Sequence, residues 1–208
     1  MANTTFSGPV RSKGGFTSIS ENATTGAITT LSSISSTGVS SFDANTLATE
    51  AGTGITGGTG TIYRSAVQRM GGIITTRILI DLTGLRSTAS GDIIGVNGTS
   101  NVCHIGQITA ARNGTILTGS MECFEAPAGG DPDINVHSAT ESTGVEDGAI
   151  SSLTETLLVN AGDATLGSKV YFSAVPAADE FLYLTLGDTT DADYTAGKLF
   201  IELMGYEA

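Results

Sequence analysis

The stretch Ile73-Ile74-Thr75-Thr76-Arg77-Ile78-Leu79-Ile80-Asp81-Leu82 reads as a central β-strand. Ile73, Ile74, Thr75, Thr76, Ile78 and Ile80 are β-branched, which restricts χ1 and favours a pleated, packed backbone over a helix. Gly71-Gly72 and Thr83-Gly84 punctuate the run at either end, as breakers bound a strand. On its N-terminal side, residues 63–70 form a second apolar-patterned run, separated by the Gly-Gly breaker. Further along, residues 92–96 predict a short strand and Asn97-Gly98 a turn. Residues 102–111 and 115–124 flank Arg112-Asn113-Gly114, which predicts a hairpin closed by an Asn-Gly turn that needs positive φ. An acidic loop runs from Pro127 to Asp133, followed by a short strand over 134–137. Residues 150–159 read either as a short helix or as a strand, with the Leu157-Leu158-Val159 ending favouring a strand. Residues 169–175 and 180–186 are predicted to pair across Pro176-Ala177-Ala178-Asp179, and 198–204 form the last strand. Some eight strands at turn-punctuated spacing predict an all-β, β-sandwich or jelly-roll-like domain over residues 61–208. No fixed-period repeat argues for a solenoid or propeller.

Composition points the same way. Charged residues make up 14% of the chain, against about 25% in an average globular protein. Gly reaches 28 copies, aromatics are 6% and Trp is absent. A chain poor in Lys, Glu and Gln and rich in Gly, Ser and Thr is a weak source of helices. An isolated soluble protein usually carries a mixed, charged skin; a surface built from Ser, Thr, Asn, Gly and Ala suits either close packing against other protein or an ordinary extracellular or viral β-protein with a polar, uncharged skin.

Residues 1–60 read differently from the rest. Residues 22–60 are dominated by Thr, Ser, Gly and Ala, with apolar residues scattered at Ile28, Leu31, Ile34, Val39, Phe42, Leu47 and Ile55. Such a stretch buries too little apolar area to fold alone. It is expected to be an extended Gly/Thr/Ser-rich N-terminal arm that orders on a neighbour or adds strands to its own sheet. Residues 1–16 lack a signal-peptide apolar core, and no window reaches the ~18 apolar residues of a membrane span. The expectation is a protein made in a cytoplasm, with no membrane as partner. Cys103 and Cys123 then imply no disulfide framework.

Net charge is −12, and it is uneven. Residues 1–120 carry seven bases and five acids, whereas 121–208 carry Lys169 and Lys198 against sixteen acids. Nucleic-acid binding needs a basic stripe to neutralise phosphates; with none present, nucleic acid is not expected. The acidic C-terminal half is expected to face outward, since burying that much like charge is costly.

No residue pattern points to catalysis or a cofactor. His104 and His137 with Cys103 and Cys123 are the minimal set for zinc, but zinc ligands come in close pairs such as C-x₂-C. Adjacent Cys103 and His104 on a strand would face opposite sides. No Gly-x-Ser-x-Gly elbow and no phosphate loop occur. Asp131-Pro132-Asp133-Ile134-Asn135 offers oxygens at alternating positions like the opening of a calcium loop, but Val136 stands where a tight-turn Gly belongs. Asp188, Asp191 and Asp193 form a second acidic loop, and both read as solvated turns. The expectation is that the chain is not an enzyme.

The opening Asn3-Thr4-Thr5-Phe6-Ser7-Gly8-Pro9-Val10-Arg11-Ser12-Lys13-Gly14-Gly15-Phe16 resembles the start of small virion proteins of tailed phages, particularly marine ones. In those proteins a Phe-x-Gly-Pro-Val-x-Ser opening precedes a Gly/Thr-rich arm and a β-sandwich. Over the rest of the chain the resemblance to phage capsid decoration (cement) proteins is one of architecture and composition. It implies a structural protein on the outer capsid surface of the virion, bound to the major capsid protein and associated with itself as a homotrimer. Phe6, Pro9, Val10, Arg11 and Phe16 would then be the partner-binding residues of the arm, with no cofactor. The rival reading is a tail or head-fibre component that binds a host receptor or glycan.

Overall fold

The computed structural model describes residues 16–22, 24–34, 40–42 and 46–207. They fall into two compact units, Met1–Ala44 and Asn45–Ala208.

In the first unit, β1 (Phe16–Glu21), β2 (Ile28–Ile34) and β3 (Ser40–Phe42) form an antiparallel sheet in the order β1-β2-β3. Phe16 lies opposite Ile34 and Ser32 opposite Phe42. The first connection is a local Asx turn: the Thr24 and Thr25 N–H groups donate to Asn22 Oδ1 at 2.9 and 3.0 Å, and Gly26 follows at φ +68°. A short polar side chain replaces the missing ladder bonds there. The stretch expected to be extended therefore pairs with itself into three strands. Phe6, Pro9, Val10 and Arg11 lie outside the described residues, whereas Phe16 opens β1 and is 46% exposed.

In the second unit, five strands form one antiparallel sheet. They are β4 (Ile62–Met70), β5 (Ile73–Asp81), β7 (Thr115–Ala128), β10 (Lys169–Tyr171) and β13 (Ala196–Tyr206), in the order β10-β7-β13-β5-β4. A second antiparallel sheet holds β8 (Ile134–Ala139), β9 (Glu155–Val159) and β11 (Phe181–Leu186), in the order β11-β8-β9. A two-stranded piece joins β6 (Arg86–Ser87) to β12 (Ala192–Asp193). Among the described residues, helix is confined to the single turns α1 (Thr53–Thr56) and α2 (Ala110–Asn113), with a 3₁₀ turn at Ile150–Ser152. The chain is all-β.

Alternation along the strands decides what each sheet buries. Ile74, Ile78 and Ile80 of β5, Leu199, Ile201 and Leu203 of β13, and Met121 and Cys123 of β7 point to one side. They join Ile134, Val136, Leu158, Leu182 and Leu184 of the other sheet in a single hydrophobic cluster. Each fully buried Leu or Ile there contributes about 1.5–3 kcal/mol. β11 is buried on both faces, and two irregular segments pair with its outer edge: Ile94 N–H donates to the Leu184 carbonyl and Ile105 N–H to the Leu182 carbonyl.

Three expectations are corrected. Residues 102–111 and 115–124 do not form a hairpin. Val102 bridges to Val145 and Gln107 to Phe181, while Asn113-Gly114 ends α2. The Asn113 side chain is spent inside the turn, accepting from Thr109 N–H at 2.9 Å and donating to Thr76 Oγ1 at 2.7 Å. Residues 169–171 and 181–186 do not pair with each other either. Lys169–Tyr171 pairs with β7 and Phe181–Leu186 with β8, so the intervening chain crosses from one sheet to the other. The boundary between units falls at 44/45 and not at 60/61. Residues 46–60 belong with the body because Leu47 and Ile55 are buried in its core, and the Gly52 and Gly54 N–H groups donate to the His104 and Val102 carbonyls.

Candidate interaction surface

The strand register that buries one side of the five-stranded sheet fixes what the other side presents. Across β13 and β5, Phe200 lies opposite Leu79, Glu202 opposite Arg77, Met204 opposite Thr75 and Tyr206 opposite Ile73. β4 adds Ile62, Arg64 and Met70, β7 adds Ser120, Glu122 and Phe124, and β10 adds Lys169 and Tyr171. Met70 is 73% and Tyr171 70% exposed, and the Phe124 and Phe200 rings stack at 5.1 Å with an 11° tilt. Outward positions of an antiparallel sheet that faces water are normally polar. Here many of them are large and apolar. Neighbouring strands supply this face with its rows of side chains, so it is rigidly held by the same ladder that closes the core.

Its charges are arranged in pairs. Arg77 Nε lies 2.8 Å from Glu202 Oε2, and Lys169 Nζ lies 3.5 Å from Glu122 Oε2 and 5.8 Å from the centre of the Tyr171 ring. Lys198 bonds Glu125 and sits 3.4 Å from Asp81 Oδ2. The Glu125 hydrogen bond, followed by those of Asp81, outweighs partial burial and holds the Lys198 ammonium above its ordinary value. Burial acts to raise the Asp81 carboxyl, but donation from the Thr83 hydroxyl and N–H, with Lys198 nearby, leaves it below its ordinary value. Two depressions open on this side. One of 490 Å³ is lined by Phe124, Glu125, Ala126, Leu166 and Lys198, and a smaller one of 100 Å³ lies between Lys169, Tyr171, Glu202 and Met204.

The residues weighed for metal or catalytic chemistry are placed apart. Cys103 is fully buried, its Sγ near the Asn101 carbonyl and wedged between Gly54 and Gly95. A Cβ on either glycine would come within 2.3 Å of the sulfur. Burial pushes this thiol up to about 12. His104 packs against Phe181 at 5.0 Å, and burial lowers its pKa; its Nδ1 has no partner among the described residues. Cys123 points into the core from β7, and burial raises its thiol too. His137 on β8 bonds Glu155 Oε2 at 2.7 Å. Among the described residues no three His, Cys, Asp or Glu side chains group as metal ligands.

The two acidic loops are rearranged relative to expectation. Asp191 and Asp193 both hold Arg86, at 2.7 and 2.9 Å. Asp133, Asp131, Asp163 and Asp188 are close enough that burial, then the charges of the other three, raises the Asp133 carboxyl. Sequence reasoning missed the sheet face. Its signal was the odd-numbered register of the 73–82 run, where Ile73 and Leu79 are as apolar as the inward residues between them. No protein-family model, curated protein or solved structure matches the chain.

Proposed function

We propose that the chain is a structural virion protein that binds the outer surface of a phage capsid and stabilises it. In this reading the Asn45–Ala208 unit is a jelly-roll-like β-sandwich, and the N-terminal segment, led by Phe6, Pro9, Val10, Arg11 and Phe16, engages the major capsid protein. The protein works by contact alone, without catalysis, cofactor or nucleic acid. The observation that carries a protein-binding role is the outer face of the five-stranded sheet, where exposed Met70, Phe124, Tyr171 and Met204 sit among paired charges. Aromatic residues and Met are enriched at protein interfaces. The shell as the partner rests on the resemblance of residues 3–16. An N-terminal segment can add a strand to a sheet edge of a neighbour, gaining backbone hydrogen bonds without side-chain specificity.

The test is to label virions with gold-tagged antibody against this chain. Gold spread over the heads supports the reading. Gold confined to tails or fibre tips moves the assignment to a receptor- or glycan-binding fibre component, and none on any particle overturns both. On purified shells, the chain lacking residues 1–20 is expected to lose binding while the Asn45–Ala208 unit stays folded by circular dichroism; undiminished binding removes the N-terminal segment from the mechanism.

A further inference from the structure

We propose that the outer face of the five-stranded sheet packs against a second copy of this chain, in a two-fold dimer. The inference names a second copy as the protein that this face binds, leaves the shell to the N-terminal segment, and does not depend on shell binding.

Charge is the first argument. Arg64, Arg77, Lys169 and Lys198 are equalled in number on this face by Asp81, Glu122, Glu125 and Glu202, with Lys198 holding both Asp81 and Glu125. The face is balanced, whereas residues 46–207 carry seven bases against nineteen acids, so the acidic excess of this unit lies off the face. Two such acidic molecules repel each other through the rest of their surfaces. The balanced face is where they can approach without juxtaposing like charge, which costs several kcal/mol at an interface. An isologous contact places this same patch on both copies, and the internal pairing of Arg77 with Glu202 and of Lys169 with Glu122 lets it do so without an excess of one sign.

Area is the second. Four long strands and a short fifth, about 4.8 Å apart and about nine residues long at about 3.3 Å each, make a face of roughly 600–700 Å². Stable interfaces take about 600–1,000 Å² from each partner, and this face lies at the lower end of that range. Packing two such sheets face to face follows the aligned geometry in which side chains from the two faces interdigitate. Phe124, Phe200 and Met204 would then form the buried centre, with Arg77 and Glu202 beside them. This arrangement differs from the threefold association that the resemblance implies.

The experiment is the mass of the purified full-length chain in solution, by light scattering and sedimentation. The expected mass is twice the 21.0 kDa of one chain. Met204→Asp, on the middle strand, and Tyr171→Asp, on the short edge strand, put a like charge on both copies. Each is expected to weaken the dimer at least about tenfold in Kd with its circular dichroism unchanged. Leu157→Asp, on the other sheet, adds the same charge and is expected to leave the dimer intact. A monomeric or trimeric wild type, or a dimer that survives both face substitutions, overturns the proposal. None of these results depends on where gold sits on a virion.

Discussion

Asp133 is where the acidic loops meet, and it is the residue whose ionisation works against the fold. Its Oδ1 is buried with no partner among the described residues, and it lies over Gly187, where a Cβ would come within 2.1 Å of it. Burial first, then Asp131, Asp163 and Asp188, raises its carboxyl above the ordinary 3.8. The folded protein therefore holds this proton more tightly than the unfolded chain. The stabilisation is full below 3.8 and is lost as pH climbs through the raised value. Asp133→Asn keeps the shape and removes the charge. Urea unfolding should show the variant and wild type equal at acid pH, with the variant gaining as pH rises above the ordinary carboxylate range; a constant difference across pH would refute the electrostatic account. Gly54 tests packing in the same way. A methyl there would sit 2.3 Å from Cys103 Sγ and 2.7 Å from the Asn101 carbonyl, so Gly54→Ala should cost about 1–3 kcal/mol by overpacking. Cys103→Ala is expected to cost less in that background than in wild type, because the sulfur is half of the clash; strict additivity would place the strain elsewhere. None of this was legible from sequence, since the glycine and the cysteine stand 49 positions apart and nothing local joins them.

At the scale of elements, two Gly-containing turns show what local pattern can and cannot decide. Gly71-Gly72 joins β4 to β5 as a two-residue loop with φ +60° and +82°, the handedness that tight hairpins require and that only glycine adopts freely. The flanking runs on either side are strands of nine residues each, as their β-branched composition implies. Asn113-Gly114 carries the same dipeptide signal but ends a helical turn, with Gly114 at φ +70°. Positive φ is all the dipeptide specifies; whether a strand or a helical turn precedes it was settled by Thr109 and Thr76, which occupy the Asn113 amide. Asn113 is fully buried, so Asn113→Ala strands the Thr109 N–H without an acceptor and should cost about 2 kcal/mol. Chemical denaturation would measure it, and a loss within error of zero would mean that water replaces the amide. The 169–171 and 181–186 strands failed for a related reason. Short sequence separation favours pairing, but Phe172 N–H donates to the Gly119 carbonyl and Ser173 N–H to Leu158, so the link is held by both sheets.

For the whole molecule, all-β character followed from composition because Thr, Ile and Gly bias every segment alike, whereas the interaction surface did not. Its residues come from five strands spread between positions 62 and 206, and only register brings them to one face. The excess of acid in residues 121–208 was visible at once, yet its consequence, a neutral face on an acidic body, needed the pairing of Arg77 with Glu202 and Lys169 with Glu122. The boundary between units was misplaced because the run from Gly52 to Gly60 looks structureless by composition. In the fold Gly52, Gly54 and Ile55 are buried, glycine being what allows the backbone to approach residues 101–103 so closely. This has a direct consequence for truncation. Every residue of the hydrophobic cluster described here lies at position 47 or beyond, and a unit that owns its core can fold alone. The fragment Asn45–Ala208 should therefore unfold in one cooperative urea transition, within about 1 kcal/mol of the same transition in the full chain. A fragment starting at residue 61 should be far less stable, because it leaves the site of Leu47 and Ile55 empty, and each large core side chain removed costs about 2–5 kcal/mol. If the 45–208 fragment fails to fold while the full chain does, the first unit supplies part of the core; if the 61–208 fragment is as stable as the longer one, residues 46–60 contribute nothing to it.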